Sequence, residues 1–324
     1  MVRRACIVGT GAYLPENVVS NDELAKTVDT SHDWIVERTG IHQRHIAAEG
    51  ELTSDLAVAA AKQALEHAGI SAADLDLIVV ATTTPDHTFP ASATAVQRKL
   101  GANSAAAFDV QAVCSGFVYA LAVADNFIKA DQANRVLVIG AETFSRLLDW
   151  SDRATCVLFG DGAGAVVLQA EDGTGSVGDR GVLATHLGSD GRHYEALYVD
   201  GGPSSTGTTG HVRMNGREVF RHAVGALTRA TEKVIESAGL TPDDINWLVP
   251  HQANFRILQA VAQRLALDSE RILMTVGHHA NTSAASIPLA LAEADAAGRF
   301  KRNQLLVMNA MGGGFSWGAA LIRW

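Results

Sequence analysis

The sequence has few cysteines and no excess of positive charge. Cys6, Cys114 and Cys156 are the only cysteines among 324 residues, and they lie far apart. This number and spacing provide neither a disulfide framework nor a set of zinc ligands, so we expect a reducing cytoplasmic location. Cys6 and Cys156 fall in strand-like apolar runs and are predicted core residues. The net charge of −9 argues against a general nucleic-acid or anionic-membrane binder, since such proteins usually carry a basic excess.

Long apolar runs and a complete nucleotide-binding motif are also missing. No run approaches the length of a membrane span, and the apolar residues after the N-terminal arginines are too few for a signal-peptide core. The glycines of "GTGAY" and "GDGAG" do not complete the G-x-G-x-x-G fingerprint, so no nucleotide cofactor is predicted. With 47% hydrophobic residues, the chain is expected to be globular with a large core.

The chain contains a pattern that occurs twice. "AGISAADLDLIVV" from residue 68 aligns with "AGLTPDDINWLVP" from residue 238, an offset of 238 − 68 = 170. At the same offset "GFVYALAVAD" aligns with "SIPLALAEAD", and "VLVIGAE" meets "LLVMNAM" if the offset slips by one. Each unit is predicted to run strand, helix, strand, helix, strand, with the apolar strands of a helix-covered parallel sheet. We therefore expect a layered α/β protein with halves 1–170 and 171–324.

Two segments lie outside this repeat. Residues 18–52 are rich in charge and contain Trp34, and residues 191–216 include the stretch "GGPSSTGTTG". The second segment is predicted to be a mobile surface loop. Because ligands of α/β sheets gather beyond the carboxyl ends of the strands, both segments are candidates to border a site.

Three side chains of different chemistry follow predicted strand ends. Cys114 precedes a predicted helix in the first half, whose positive end would favour a reactive thiolate. His251 and Asn281 occupy matching edges in the second half. A thiol, an imidazole and an amide together favour covalent acyl chemistry, with backbone N–H groups at the helix start and at Gly312–Gly314 as oxyanion donors. Taken singly, the same features also fit a buried thiol, a loop histidine, a helix cap and a tight turn.

The motifs "DWIVERTGI", "DVQAVCSGFVYAL", "FGDGAGAVVL", "HQANFRI", "NTSAASIP" and "GGGFSWGAALIRW" span almost the whole chain. They resemble the β-ketoacyl-acyl-carrier-protein synthase III enzymes of the thiolase superfamily. This resemblance implies a duplicated thiolase-like α/β fold in α-β-α-β-α layers. It also implies the initiating condensation of type II fatty-acid synthesis, in which Cys114 takes an acyl group, expected to be acetyl, from acyl-CoA and malonyl-acyl-carrier-protein then reacts. His251 and Asn281 would assist decarboxylation, and the N–H groups of Cys114 and Gly313 would form the oxyanion hole.

The resemblance further implies binding residues, matched position by position. The coenzyme A contacts would be Trp34, Arg38, Arg153, Met214, Gly216, Phe220, Ala253 and Asn254. The acyl pocket would include Phe89, inserted across a homodimer interface, and Phe159. Docking of the acidic carrier protein would use Arg221, Arg256 and Arg264, which also fit an ordinary solvated helix face.

No cofactor or metal is implied, since coenzyme A is a substrate here and His278 and His279 lack a third ligand at a metal-binding spacing. One departure from the family is Ala280, where the family usually has glycine. The alanine strains the Asn281 loop if the position requires a positive φ and is harmless otherwise.

Other functions fit parts of this pattern. A Cys-His-Asn thiol hydrolase would use the same three residues, and a related condensing enzyme of secondary metabolism would share all the motifs. A catalytically inactive relative usually lacks the cysteine, which is present, and a thiolase would need a second cysteine in "GGGFSWG". The chain length and branching of the primer are left open.

Overall fold

The computed structural model describes residues 1–324, which contain two main sheets and ten α-helices. The strands are β1 (Val2–Tyr13), β2 (Asn17–Ser20), β3 (Gln43–Ile46), β4 (Leu77–Ala81), β5 (Ala106–Val110), β6 (Arg135–Glu142), β7 (Gly162–Gly173), β8 (Gly181–Ser189), β9 (Leu197–Val199), β10 (Val212–Met214), β11 (Trp247–Pro250), β12 (Leu305–Gly312) and β13 (Ser316–Arg323). The helices are α1 (Asn21–Leu24), α2 (His32–Thr39), α3 (Thr53–Ala68), α4 (Ser92–Leu100), α5 (Gly116–Lys129), α6 (Arg153–Cys156), α7 (Gly216–Ser237), α8 (Phe255–Arg264), α9 (Val276–His279) and α10 (Ser286–Ala296).

The elements stack in five layers. One sheet has the strand order β1-β7-β6-β4-β5 and the other has the order β11-β12-β13-β8. Helices α5 and α10 lie between the sheets, where their small and aliphatic side chains form one core with both inner faces. Helices α3 and α4 cover the outer face of the first sheet, and α7 and α8 cover the second. The two middle helices are apolar on nearly every side because both of their faces are buried. None of the ten helices has the length and apolar character needed to cross a membrane.

The repeat seen in the sequence is also present in the strand register. Leu77 of β4 pairs with Val136 of β6, and Trp247 of β11 pairs with Leu306 of β12, so both partners keep the offset of 170. The one-residue slip inferred between "VLVIGAE" and "LLVMNAM" is therefore wrong. The predicted middle strand of the second unit is reduced to a single bridge between Leu248 and Ile272.

Two local predictions are corrected by the structure. Residues 191–216, predicted as a loop, contain a 3-10 helix over Gly191–Ala196 and a small antiparallel sheet of β9 and β10; the exposed turn is confined to residues 203–209. Cys6 is a buried strand residue as expected, whereas Cys156 is buried at the end of helix α6. The helix forms there because Asp152 caps it through the Ala154 N–H, a local signal that outweighs the apolar run.

Candidate active site

Cys114 lies in a 3-10 turn between the carboxyl end of β5 and the start of α5. The turn spans Val113–Ser115, and the regular helix begins two residues after the cysteine, at Gly116. Val113 has a φ of 49°, an uncommon conformation for a β-branched residue. Backbone strain of this kind is found where a structure fixes a functional group. The thiol is 4% exposed, so only a ligand that enters the protein reaches it.

Burial controls the ionisation of Cys114. Loss of water around the thiol raises its pKa to about 12. The adjacent Ser283 hydroxyl and the cysteine's own N–H oppose this rise, while the Glu142 carboxylate adds to it. Burial therefore favours the neutral thiol in the resting protein.

His251 immediately follows β11 and is almost fully buried. Burial lowers its pKa to about 3, so the ring is neutral. Its Nδ1 lies 2.6 Å from the Ser286 hydroxyl, which accepts a hydrogen bond from the Gln252 N–H. The hydroxyl proton has no acceptor other than Nδ1, so this network assigns the ring proton to Nε2. Nε2–H is thus available as a donor.

Asn281 precedes the 3-10 turn Ser283–Ala285 that leads into α10. Its Oδ1 accepts the Ser283 N–H at 2.9 Å, and its backbone is paired with Leu158 and Gly160. The amide nitrogen has no partner within the protein and remains a donor. Because Ser283 contacts the cysteine and Ser286 contacts the histidine, the segment 281–286 joins all three predicted groups.

The glycine-rich segment after β12 packs directly on the cysteine turn. A Cβ at Gly312 would lie 2.7 Å from the Cys114 nitrogen, and one at Gly313 would lie 2.6 Å from the Leu197 carbonyl oxygen. The Ser316 hydroxyl forms a hydrogen bond of 2.9 Å with Ser115 Oγ and so connects the glycine-rich segment to the cysteine turn. The N–H groups of Cys114 and Gly313 donate no hydrogen bond within the protein. Such free, converging donors are what an oxyanion needs.

A cavity of about 1100 Å³ opens beside this turn. Val113, Gly313 and Gly314 line it together with Phe144 and the segment 83–88. Phe159 is buried behind Phe144 and does not line the cavity; the two rings are stacked with centroids 4.3 Å apart. Phe89 does not line the cavity; it is 84% exposed at the tip of the adjoining loop.

Four of the predicted coenzyme A residues are connected by direct contacts. The guanidinium groups of Arg38 and Arg153 lie 4.6 and 4.9 Å from the centre of the Trp34 ring, and Asn254 Nδ2 donates to the Arg38 carbonyl oxygen. These contacts join the charged insert to the start of α8. Met214 ends β10, and Gly216 and Phe220 lie in the first turns of α7. Ala253 immediately precedes Asn254 in the chain.

The three predicted docking arginines are exposed on two helices that pack together. Arg221 is on α7, and Arg256 and Arg264 are at the two ends of α8. Arg256 also donates to the Glu37 carbonyl oxygen, which ties α8 to the insert. Arg256 therefore lies beside helix α2, which carries Trp34.

Two further features were not identified from the sequence. Glu293 of α10 accepts hydrogen bonds from His278 and His279 on the same oxygen, at 2.8 and 3.0 Å, and so supplies the third group that their spacing lacked. Glu142, at the end of β6, is fully buried and bonded to Ser283. The sequence feature that could have identified Glu142 is a carboxylate directly after the apolar run "VLVIGA" of β6.

The position of Ala280 is resolved by its backbone angles. Its φ of 58° and ψ of −163° belong to a region occupied almost only by glycine. The position therefore requires a positive φ, and the alanine is strained there.

Comparisons with known proteins cover the whole chain. Residues 108–191 and 235–324 match two families, described as 3-oxoacyl-[acyl-carrier-protein (ACP)] synthase III and its C-terminal region. A beta-ketoacyl-[acyl-carrier-protein] synthase III of Rhodospirillum centenum is 65% identical over 100% of both chains, and one of Paramagnetospirillum magneticum is 64% identical over the same shares.

Solved structures give the same result. The 3-oxoacyl-[acyl-carrier-protein] synthase III of Aquifex aeolicus superimposes with a TM-score of 0.93 at 47% identity, over 99% of this chain and 100% of that one. A priming beta-ketosynthase of the R1128 polyketide pathway also has a TM-score of 0.93, at 34% identity over 99% and 96% of the two chains. The duplicated five-layer architecture is thus the thiolase-like fold of these enzymes. On its sequence and its fold, the chain belongs to the 3-oxoacyl-[acyl-carrier-protein] synthase III family.

Proposed function

We propose that the chain carries out the initiating condensation of fatty-acid synthesis through an acyl-Cys114 intermediate. The reaction joins an acyl-CoA primer to malonyl-acyl-carrier-protein and yields a 3-oxoacyl-acyl-carrier-protein, carbon dioxide and free coenzyme A. The observation that carries the proposal is the segment 281–286, which connects a buried thiol, a neutral imidazole and a free amide donor. A hydrolase is less well supported, because it would need a base poised to deprotonate water, and the proton on His251 Nε2 makes that atom a donor.

In the first half-reaction, Cys114 Sγ attacks the thioester carbonyl of the primer. The carbon–sulfur bond to coenzyme A breaks, and the proton lost by the cysteine ends on the departing coenzyme A thiol. The oxyanion formed in between is stabilised by the N–H groups of Cys114 and Gly313, and removing one such donor typically slows a reaction about 100- to 1000-fold.

In the second half-reaction, the malonyl carboxylate leaves as carbon dioxide. The electron pair of the broken carbon–carbon bond passes to the thioester as an enolate, whose oxygen receives hydrogen bonds from His251 Nε2 and Asn281 Nδ2. The enolate carbon then attacks the acyl-cysteine, the new carbon–carbon bond forms, and the bond to Cys114 Sγ breaks. Cys114 leaves as a thiolate and takes up one proton from solvent, which restores the resting thiol. A neutral histidine suits this step because its Nε2–H already donates a hydrogen bond, without the uptake of a proton that burial opposes.

The binding residues complete the proposal. Trp34, Arg38 and Arg153 would hold the adenine and phosphates of coenzyme A, since aromatic and guanidinium planes stack on a base and arginines pair with phosphates. The segment Met214–Phe220 with Ala253 and Asn254 would contact the pantetheine arm. The exposed patch of Arg221, Arg256 and Arg264 would receive an acidic carrier protein by charge complementarity.

We further infer a homodimer in which the exposed Phe89 ring enters the acyl pocket of a second copy, beside Phe159. We also propose a division into halves 1–170 and 171–324, each built around one main sheet, with strand β7 of the first sheet extending to Gly173, past that boundary. The first half would supply the nucleophile, and the second half would supply His251 and Asn281. The cytoplasmic location stays a prediction.

The experiment that tests the proposal is intact-protein mass spectrometry after incubation with acetyl-CoA. We expect one stable acetyl group on the wild type and on the C6A control, and none on C114A. Addition of malonyl-acyl-carrier-protein should discharge the acetyl group, with release of carbon dioxide and formation of the 3-oxoacyl product. Turnover by water alone, without a condensation product, would refute the proposal. A panel of acyl-CoA primers in the same assay would define primer choice.

A further inference from the structure

Glu142 is a buried carboxylate without a cation. Its side chain is fully buried at the end of β6, and no lysine, arginine or histidine forms an ion pair with it. Burial raises its pKa, while hydrogen bonds from its neighbours counteract the rise. The equivalent position in the second half, at the offset of 170, is Gly312. The equivalent strand β12 thus ends without a carboxylate, so a strand of this kind does not need one to form.

The carboxylate accepts hydrogen bonds from two separate segments. On one side are the Thr83 N–H and the hydroxyls of Thr83 and Thr84, with distances between 2.7 and 3.2 Å. On the other side the Ser283 hydroxyl donates to Oε1 at 3.0 Å. Thr83 and Thr84 begin the segment that lines the cavity, and Ser283 belongs to the segment that joins the reactive groups. Glu142 therefore links the cavity wall to the active site.

The hydroxyl bond to Glu142 fixes the place of Ser283. Its φ of 49° does not depend on this bond, because Val113, the equivalent residue of the first half, has the same angle without a hydroxyl. The Ser283 N–H holds Asn281 Oδ1 at 2.9 Å, which fixes the orientation of the amide and leaves the nitrogen as a donor. A displacement of Ser283 would therefore displace Asn281 at the same time.

We propose that Glu142 is a positioning residue of the condensation: through Ser283 it holds the Asn281 amide in place. The inference rests on the proposed roles of Cys114 and Asn281. Glu142 acts only through its hydrogen-bond partners.

The two half-reactions make the role testable. The E142Q variant keeps the shape of the side chain but turns one acceptor into a donor. Loss of the Ser283 anchor should misplace Asn281 and slow condensation, by about 100-fold if the displacement reaches 1 Å. Uptake of the acetyl group by Cys114 does not use Asn281 and should keep the wild-type rate.

The experiment compares E142Q with S283A and D125N. Acetylation of Cys114 by acetyl-CoA is followed by mass spectrometry, and condensation is measured separately on enzyme acetylated beforehand. Asp125 is a buried carboxylate on the helix that follows Cys114, so D125N is the loss of a buried carboxylate away from the site. E142Q and S283A should take up the acetyl group at the wild-type rate and condense up to about 100-fold more slowly. D125N should resemble the wild type in both steps.

Equal behaviour of E142Q and D125N would overturn the proposal, as would a wild-type condensation rate in S283A. If E142Q fails to fold, the condensation rate of S283A decides the question. A wild-type enzyme that takes up no acetyl group would instead refute the proposed function, so the two failures are distinguishable.

Discussion

Replacing Ala280 with glycine should leave the protein as stable as before or make it more stable, although the residue is fully buried. Its backbone conformation, with φ of 58° and ψ of −163°, costs a residue with a Cβ about 1–3 kcal/mol. Glycine removes this cost because it adopts the same angles freely. The substitution therefore acts on backbone strain immediately before Asn281.

Two effects oppose this gain. The Ala280 methyl group packs in a small core with Leu24, Ile35 and Ile41, and removing a buried carbon of this size costs about 0.8 kcal/mol. Glycine also gives the unfolded chain more freedom, which costs about 0.5–1 kcal/mol. With the strain taken at the middle of its range, about 2 kcal/mol, and opposing costs of about 1.3–1.8 kcal/mol together, A280G should raise the free energy of unfolding by about 0.2–0.7 kcal/mol.

The matched control is A290G in the middle of helix α10. Ala290 is equally buried but helical, so its replacement loses the methyl contact and about 1 kcal/mol of helix propensity, roughly 2 kcal/mol together. Since 1 kcal/mol shifts the Tm of a chain of this size by about 2 °C, the two variants should differ by roughly 4–6 °C in thermal unfolding followed by circular dichroism. An A280G variant destabilised as much as A290G would show that the backbone strain is absent and refute the reasoning.

Three further outcomes follow from the site. The pKa of His251 is about 3 in the folded protein and 6.5 in the unfolded chain, so between those pH values only the unfolded chain binds this proton. The free energy of unfolding should therefore fall as the pH drops below about 6.5. Denaturant titrations at several pH values should find a smaller fall in H251N. In G313A the new Cβ would meet the Leu197 carbonyl oxygen at 2.6 Å and displace the proposed oxyanion donor. The kcat should then fall about 100- to 1000-fold with a normal circular-dichroism spectrum, and an unchanged kcat would exclude Gly313 from the proposed oxyanion hole. In F89A the loss of an 84% exposed ring should shift the proposed dimer toward monomer in light scattering, and an unchanged mass would place the interface elsewhere.

Much of the fold could be predicted because the sequence contains the same structural unit twice. The offset of 170 aligned the helix ends, turns and strands that the structure contains, including the glycine caps Gly69 and Gly239, both with a φ near 65–69°. The slipped alignment of β6 with β12 failed for a physical reason: both strands are apolar throughout, so their composition cannot specify register, whereas backbone hydrogen bonds do. The hairpin of β9 and β10 was missed because its strands are three residues long and flank a stretch rich in Gly, Ser and Thr.

The sequence by itself determined the layered α/β architecture, the family, and the candidate nucleophile with its histidine and asparagine partners. Repeated motifs and residue types can be identified without knowing the three-dimensional structure. Only the tertiary structure decided the charge states of those groups. Cys114 is a neutral thiol and His251 a neutral donor because both are removed from water, and burial is a property of the packed layers. The tertiary structure alone also placed Glu142 beside Ser283, which is 141 residues away in the chain, and assigned the glycine-only conformation to Ala280.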